Sequence, residues 1–219
     1  MREYNPEGSA LRRDQKEMLK VLVAFADICE KNDIRWWLCS GTLLGAARHK
    51  GFIPWDDDMD VTMYEEDYRK LEKVLVELDS EDYFYQCLKT DPDHVNVFGK
   101  FRKKKDPVAS TDLRSQYFKY QGVGLDVFYI EKSNRFASHM AKFFSLNMIR
   151  PTQHIKKASV RHFANKVVQF INFNLLIPFC RLVGMINPKD QYRISLGAGF
   201  YKSCFYEKDI FPLSKMEFE

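Results

Sequence analysis

The sequence predicts an α+β domain: a mixed β-sheet flanked by helices, with a helical C-terminal part. Three observations lead there. An amphipathic helix opens the chain, several short apolar stretches with strand character follow, and residues 134–186 carry a helical pattern. At 219 residues, 45% hydrophobic and 29% charged, the chain is long enough for one domain with a substantial core.

The elements follow in order. Leu11, Met18, Leu22, Phe25 and Cys29 recur at helical spacing, with charged residues between them, and define a helix ending near Lys31. Asn32-Asp33 stops it, and residues 34–39, rich in aromatic and apolar side chains, read as a strand. Ser40-Gly41-Thr42 reads as a turn, and residues 43–48 as a short helix. An acid run leads into the strand 59–63. Tyr64, Tyr68, Leu71, Leu75 and Leu78 then mark a second amphipathic helix, with Glu65, Glu66 and Asp67 suitably placed in its first turn. Residues 95–102 are expected to be a strand, 103–107 a basic loop, and 122–130 a strand that is apolar apart from Asp126. Beyond 186 the pattern is irregular.

Charge is unevenly spread. Residues 56–82 hold twelve acids and three bases, whereas residues 131–170 hold one acid and eight bases. That asymmetry suits a cation-binding region beside a surface that attracts anions. The five cysteines (Cys29, Cys39, Cys87, Cys180, Cys204) form neither a C-x-x-C pair nor a zinc-ligand spacing, and read as reduced core thiols of a cytoplasmic protein. The first residues have no apolar run of the signal-peptide kind. Residues 167–186 are strongly apolar, but Gln169, Asn172, Asn174, Pro178 and Arg181 interrupt them, so a buried helix pair is expected rather than a membrane span. Lys156, Lys157, Arg161 and Lys166 just before it would also suit peripheral association with anionic lipid.

The chemistry concentrates in two places. Asp58 and Asp60 stand at i and i+2, which puts both carboxylates on one face of a strand. Like charges so placed repel unless a cation sits between them. Asp126, alone within an apolar strand, is costly without a partner. If its strand lies beside 59–63, three carboxylates converge on an oxygen-ligand site for Mg²⁺ or Mn²⁺. Ser40, Gly41 and Thr42 supply backbone N–H groups and hydroxyls at a helix N-terminus, able to cradle a phosphate. Arg48, His49, Lys50, Lys100 and Arg102 are the candidate phosphate partners. Turn, two-acid strand and third acid, in this order, make a nucleotidyltransferase-like constellation. Asp56, Asp58 and Asp60 also imitate half of an EF-hand loop, but Val61 stands where that loop needs Gly, and Asp67 where it needs Glu.

The stretch Gly41-Thr42-Leu43-Leu44-Gly45-Ala46-Ala47-Arg48-His49-Lys50-Gly51-Phe52-Ile53-Pro54-Trp55-Asp56-Asp57-Asp58-Met59-Asp60-Val61 resembles the signature of the LicD family. Gly124-Leu125-Asp126-Val127-Phe128 resembles its second acidic motif, and residues 211–219 resemble its C-terminal entry. The resemblance implies a nucleotidyltransferase-like fold. Residues 1–131 would be the catalytic core, and 132–219 the helical C-terminal part of the same domain, short relative to the family, whose motif continues past Phe218-Glu219. It implies transfer of phosphocholine, or a similar phospho-alcohol such as ribitol phosphate, from a CDP-alcohol to a hydroxyl of a glycan or lipid-linked glycan, with release of CMP.

In that reading Asp58, Asp60 and Asp126 are catalytic and hold the metal, and Ser40, Gly41, Thr42, Arg48, His49, Lys50, Lys100 and Arg102 bind substrate. The enzyme would be cytoplasmic, at the inner face of a membrane, with no nucleic-acid partner. The chain departs from the family at Glu65, where relatives often carry a base, and at Asp106-Pro107, where they often carry Thr. Two alternatives remain open: nucleotidyl transfer from an NTP with pyrophosphate release, and a non-catalytic nucleotide- or metal-binding module. For a quaternary ammonium, Trp37, Trp55 and Tyr129 are the candidate aromatic faces.

Overall fold

A computed structural model describes residues 4–107, 115–186, 191–200 and 202–219. The first helix, α1 (Ala10–Lys31), starts where the Ser9 side chain accepts from the Arg12 amide, and buries Met18, Val21, Leu22, Phe25 and Cys29 along one stripe. Next come β1 (Trp37–Leu38), α2 (Ser40–His49), β2 (Asp60–Tyr64), α3 (Glu65–Val76), β3 (Tyr83–Gln86), β4 (Gly99–Pro107) and β5 (Gly122–Lys132). The helical stretch is α4 (Arg135–Thr152), α5 (Ala158–Ile171), a π-helical turn (Asn172–Leu176) and α6 (Ile177–Gly184). The chain then returns to the sheet as β6 (Gln191–Ile194) and β7 (Phe205–Tyr206), ahead of a last short helix, α7 (Glu207–Ile210).

The sheet runs β1-β2-β5-β4-β3, with β2 and β5 parallel and the other pairs antiparallel. Strand β5 is its axis. It pairs with β2 on one side, and on the other first with β4 and then, from Ile130 onward, with β6. Alternation along β5 sorts its side chains onto two faces. Val123, Leu125, Val127 and Tyr129, with Val61, Met63 and Phe101 from neighbouring strands, pack under α1 and α3 in the main core. Phe128 and Ile130 face the other way and join Cys39, Val97, Ile194 and Ala198 in a second cluster. Asp126 belongs to that second face.

Besides the strand expected over 95–102, which starts only at Gly99, sequence expectation and structure differ in four places outside the site. The strand expected over 34–39 is ordered as a ladder only at Trp37–Leu38, because β1 is an edge strand held by two residue pairs and the Cys39 amide bond to the Asp60 carbonyl. Lys103 to Asp106, expected as a loop, continues β4: Lys103 pairs with Tyr83, and its ammonium reaches Glu17. Strand β3 had no counterpart in the sequence reading, since Tyr83-Phe84-Tyr85-Gln86 is only four residues long. The fourth is the apolar helix. Only 22% of its most apolar 18-residue window is buried, so it is not the core pair expected. Four of the five cysteines are buried, as expected of core thiols, whereas Cys204 is only partly so.

Candidate active site

The site forms where α2, β2, β5 and β4 meet. Asp60 begins β2, and its Cα registers with that of Asp126 on the adjacent parallel strand; Asp126 in turn registers with Lys100 on β4. The three side chains therefore stand in a row across three neighbouring strands, on the face away from α1. Lys100 and Asp126 form a close ion pair, each side chain 22% exposed. Two hydroxyls hold Asp60 in place. The Thr42 oxygen accepts from its backbone N–H at 2.8 Å, and the Ser40 hydroxyl bonds its carboxylate. Thr42 is thus a positioning residue here, with its side chain turned toward β2.

Ser40-Gly41-Thr42 is not a free turn but the first turn of α2 itself, entered from an extended Cys39. Ser40 sits at φ 50°, in the left-handed region that residues other than glycine seldom occupy. Such backbone outliers persist only where the surroundings enforce them. Gly41 has a steric reason: a Cβ there would fall 2.6 Å from Asp56 Oδ2. The acid loop is anchored from below, where the buried Gln15 amide donates to the carbonyls of Ile53 and Asp56 at 3.3 and 2.9 Å.

Electrostatics mark the cluster as short of positive charge. Burial, with Asp126 and Asp58 adding repulsion, pushes the Asp60 carboxyl up to about 7. Burial and the neighbouring Asp56 and Asp126 push Asp58 up to about 6. Asp56 is also raised, chiefly by burial, and shares a hydrogen bond with Asp58. Ligand oxygens of Asp56, Asp57 and Asp58 all lie within 4.8 Å of one another, the one such acid triplet among the described residues. Asp56, Asp58 and Asp60, an all-oxygen donor set whose ionisation is opposed, fit a hard divalent cation, which would favour the ionised forms. Asp56 is the residue the sequence reading undervalued; its packing against Gly41 is the contact that separates it from an ordinary acidic loop.

The other expected residues divide. Arg48, His49 and Lys50 are exposed at the far end of α2, with Arg48 about 12 Å along the helix axis from Ser40. Lys50 pairs with Glu217 at 3.0 Å. Arg102 is buried and spends its guanidinium on the Tyr120 and Gly122 carbonyls and on the Phe118 ring. Of the aromatic candidates, Tyr129 packs against Tyr68 in the main core, on the wrong side of the sheet. Trp37 is wedged against Tyr64 and Phe211, and Trp55 is 67% exposed. The half-EF-hand alternative ends here too, because the acids lead into strand β2 rather than into a second helix.

Two cavities lie near the site, neither lined by Asp60, Asp126 or Lys100. One, of about 610 Å³, lies beside Phe98 and is lined by Tyr117, Arg150, His154 and Lys156. The other, of about 620 Å³, is bounded by Trp37, Ser40, Thr62, Ile194 and Phe205.

Residues 33–172 match the family described as LicD/FKTN/FKRP, nucleotidyltransferase domain, which is well over half of the chain. The chain belongs to this family. Among relatives in the LicD/FKTN/FKRP family, the lipopolysaccharide cholinephosphotransferase LicD of Haemophilus influenzae is 45% identical over 73 residues, 33% of this chain and 28% of that protein. The ribitol 5-phosphate transferases FKRP of Mus musculus and Homo sapiens are each 47% identical over 47 residues, 22% of this chain and 10% of theirs. The chain thus spans about a quarter of the length of the Haemophilus relative, and less of the mammalian ones.

Proposed function

We propose that this LicD-family chain transfers phosphocholine, or a related phospho-alcohol, from a CDP-alcohol to a glycan hydroxyl and releases CMP. The observation that carries the reading is the row Asp60–Asp126–Lys100, with Asp58 beside it, set against the first turn of α2. Two relatives named for choline phosphate and ribitol 5-phosphate transfer support the class of group moved.

Asp58 and Asp60 would hold Mg²⁺ or Mn²⁺, with Asp56, whose ligand oxygen lies within 4.8 Å of that of Asp58, and Asp126, in register with Asp60, as the further acids. When bound, the cation would neutralise charge on the donor's phosphate oxygens. The residues do the rest. The amides of Gly41 and Thr42 lie in the first turn of α2, where N–H groups lack intrahelical acceptors, and favour an anion. Lys100, paired with Asp126 before substrate arrives, turns its ammonium to the diphosphate. Asp126, released from that pair, accepts the proton of the attacking hydroxyl. Arg150 and Lys156 give the cavity beside Phe98 the positive character that an anionic substrate needs. The setting consistent with this chemistry is the cytoplasmic face of a membrane, where glycan precursors are met.

The test is the leaving group. Incubation with CDP-choline or CDP-ribitol, Mg²⁺ and a glycan acceptor should yield CMP, and Asp58→Ala and Asp60→Ala should abolish it. Pyrophosphate release from an NTP would move the chain to nucleotidyl transfer. Binding of a CDP-alcohol with no turnover on any acceptor would reduce it to a binding module. A thermal-shift panel of CDP-alcohols, with and without Mg²⁺, ranks the donors.

A further inference from the structure

A water-facing helix buries its apolar side and shows polar residues to solvent. The continuous helix Ala158–Gly184 does the reverse. Along α5 its inward stripe is polar: Arg161 pairs with Asp93 at 2.8 Å, Asn165 donates to the Pro92 carbonyl and Gln169 to the His94 carbonyl; α6 buries Ile177 and Cys180, beside the partly exposed Arg181, which bonds Glu131 at 2.7 Å. Its outward side carries Phe163 at 70% exposure, with Phe170, Leu175, Phe179 and Leu182 also exposed, and Phe136 and Phe143 add to it from α4. Apolar groups on this scale, gathered on one side, mark an interaction surface.

Charge selects the occupant. Between Glu131 and Asp190 the sequence has no Asp or Glu, but ten Lys and Arg. Six of those bases (Lys132, Arg135, Arg150, Lys156, Lys157 and Lys166) are exposed. A second copy would set this basic surface against its own like. An anionic bilayer matches both the bases and the apolar side chains.

The helix is long and apolar enough to cross a membrane, with 27 residues and a mean hydropathy of 1.5 over its most apolar window. Crossing would strip Arg161, Asn165, Gln169 and Arg181 from their partners and place two guanidinium groups in hydrocarbon. We infer that the outer face of α4, α5 and α6 docks on an anionic lipid surface, lying in the interface with the polar stripe still bound to the domain. Contact is independent of the transfer reaction.

The experiment is flotation of the full chain with phosphatidylcholine vesicles, and with vesicles in which phosphatidylglycerol replaces part of that lipid. The chain should float with the anionic vesicles at least about tenfold more than with neutral ones, and raised salt should weaken it. Replacing Phe163, Phe170, Phe179 and Leu182 together by Glu should cut flotation at least about tenfold, with the unfolding midpoint unchanged. Equal flotation of that variant, or none by the wild type, overturns the inference. So does a concentration-dependent dimer that the same substitutions dissolve, or retention in cell membranes after alkaline extraction, which would mean a span. CMP release with a soluble acceptor reads the reaction alone, so the two proposals fail separately.

Discussion

The two halves of this molecule solve burial in opposite ways. Around β5 the core is conventional: α1 and α3 press apolar stripes onto Val123, Leu125, Val127 and Tyr129, while Asp126 and Lys100 stand on the opposite face. Along α5 and the π-helical turn the groups turned inward are Arg161, Asn165 and Asn172, α6 adds the apolar Ile177 and Cys180, and much of the remaining apolar area faces out. The main core is held by area removed from water, α5 largely by directional polar bonds. The helical part is thus attached, along α5, through polar bonds that leave its apolar side chains facing out.

The largest test breaks each kind of attachment once. Phe25→Ala empties a fully buried site in the main core and should cost about 3–5 kcal/mol. Asp93→Ala leaves Arg161 buried and uncompensated, and should cost a similar 3–5 kcal/mol. Burial alone would raise the Asp93 carboxyl; Arg161 and His162 more than reverse that, holding it below its ordinary value. Urea unfolding of the two variants measures both. If Asp93→Ala costs under about 1 kcal/mol, the polar stripe is not what holds α5, and the comparison fails.

A smaller effect is expected at the acidic row. Asp60→Asn should lower CMP release about 10²–10³-fold, the usual scale for losing one electrostatic contact in a transfer site. It should not lower the stability of the cation-free protein, because it removes a charge that its surroundings oppose. Activity retained with thermal stability lost would assign Asp60 to the fold rather than to the chemistry.

The pH dependence follows with its sign. The Asp60 carboxyl is raised from an ordinary value near 3.8 to about 7 in the fold. Its contribution to stability is therefore full below about pH 4 and lost as pH rises through 7. His94 works the other way. Burial lowers it to about 4, so its contribution is present above about 6.5 and lost as pH falls toward 4. Comparing wild type with Asp60→Asn cancels His94. Without Mg²⁺, the wild type should lose stability relative to the variant between pH 5 and 8, and Mg²⁺ should close the gap. A gap that does not change with pH would show that Asp60 is not raised.

The acidic row was legible because strand periodicity and charge are local: Asp58 and Asp60 at i and i+2, and Asp126 isolated in an apolar run, needed no tertiary information. Their parallel register and the Lys100 pairing did, since three strands distant in sequence set it. Asp56 was undervalued for a similar reason, because its partner Gly41 lies fifteen residues earlier, on α2. The helical region misled in another way. Hydropathy marks a residue's transfer preference, not the side of the helix it occupies, and Arg161 and Asn165 read as surface residues until Asp93 and Pro92 are placed against them.

That inversion sets the smallest prediction. Phe170→Ser removes a large aromatic group that is 64% exposed and covered by nothing in the domain. In aqueous buffer its unfolding free energy should change by no more than about 0.5 kcal/mol, the range of an ordinary surface substitution. The same chemical change at a buried Phe would cost several-fold more. A loss of about 2 kcal/mol or more would mean that Phe170 is buried in solution, and would return α5 and α6 to the conventional pattern of the other half. A null effect on stability, joined to weaker flotation with anionic vesicles, would show that the aromatic contributes only where lipid is present.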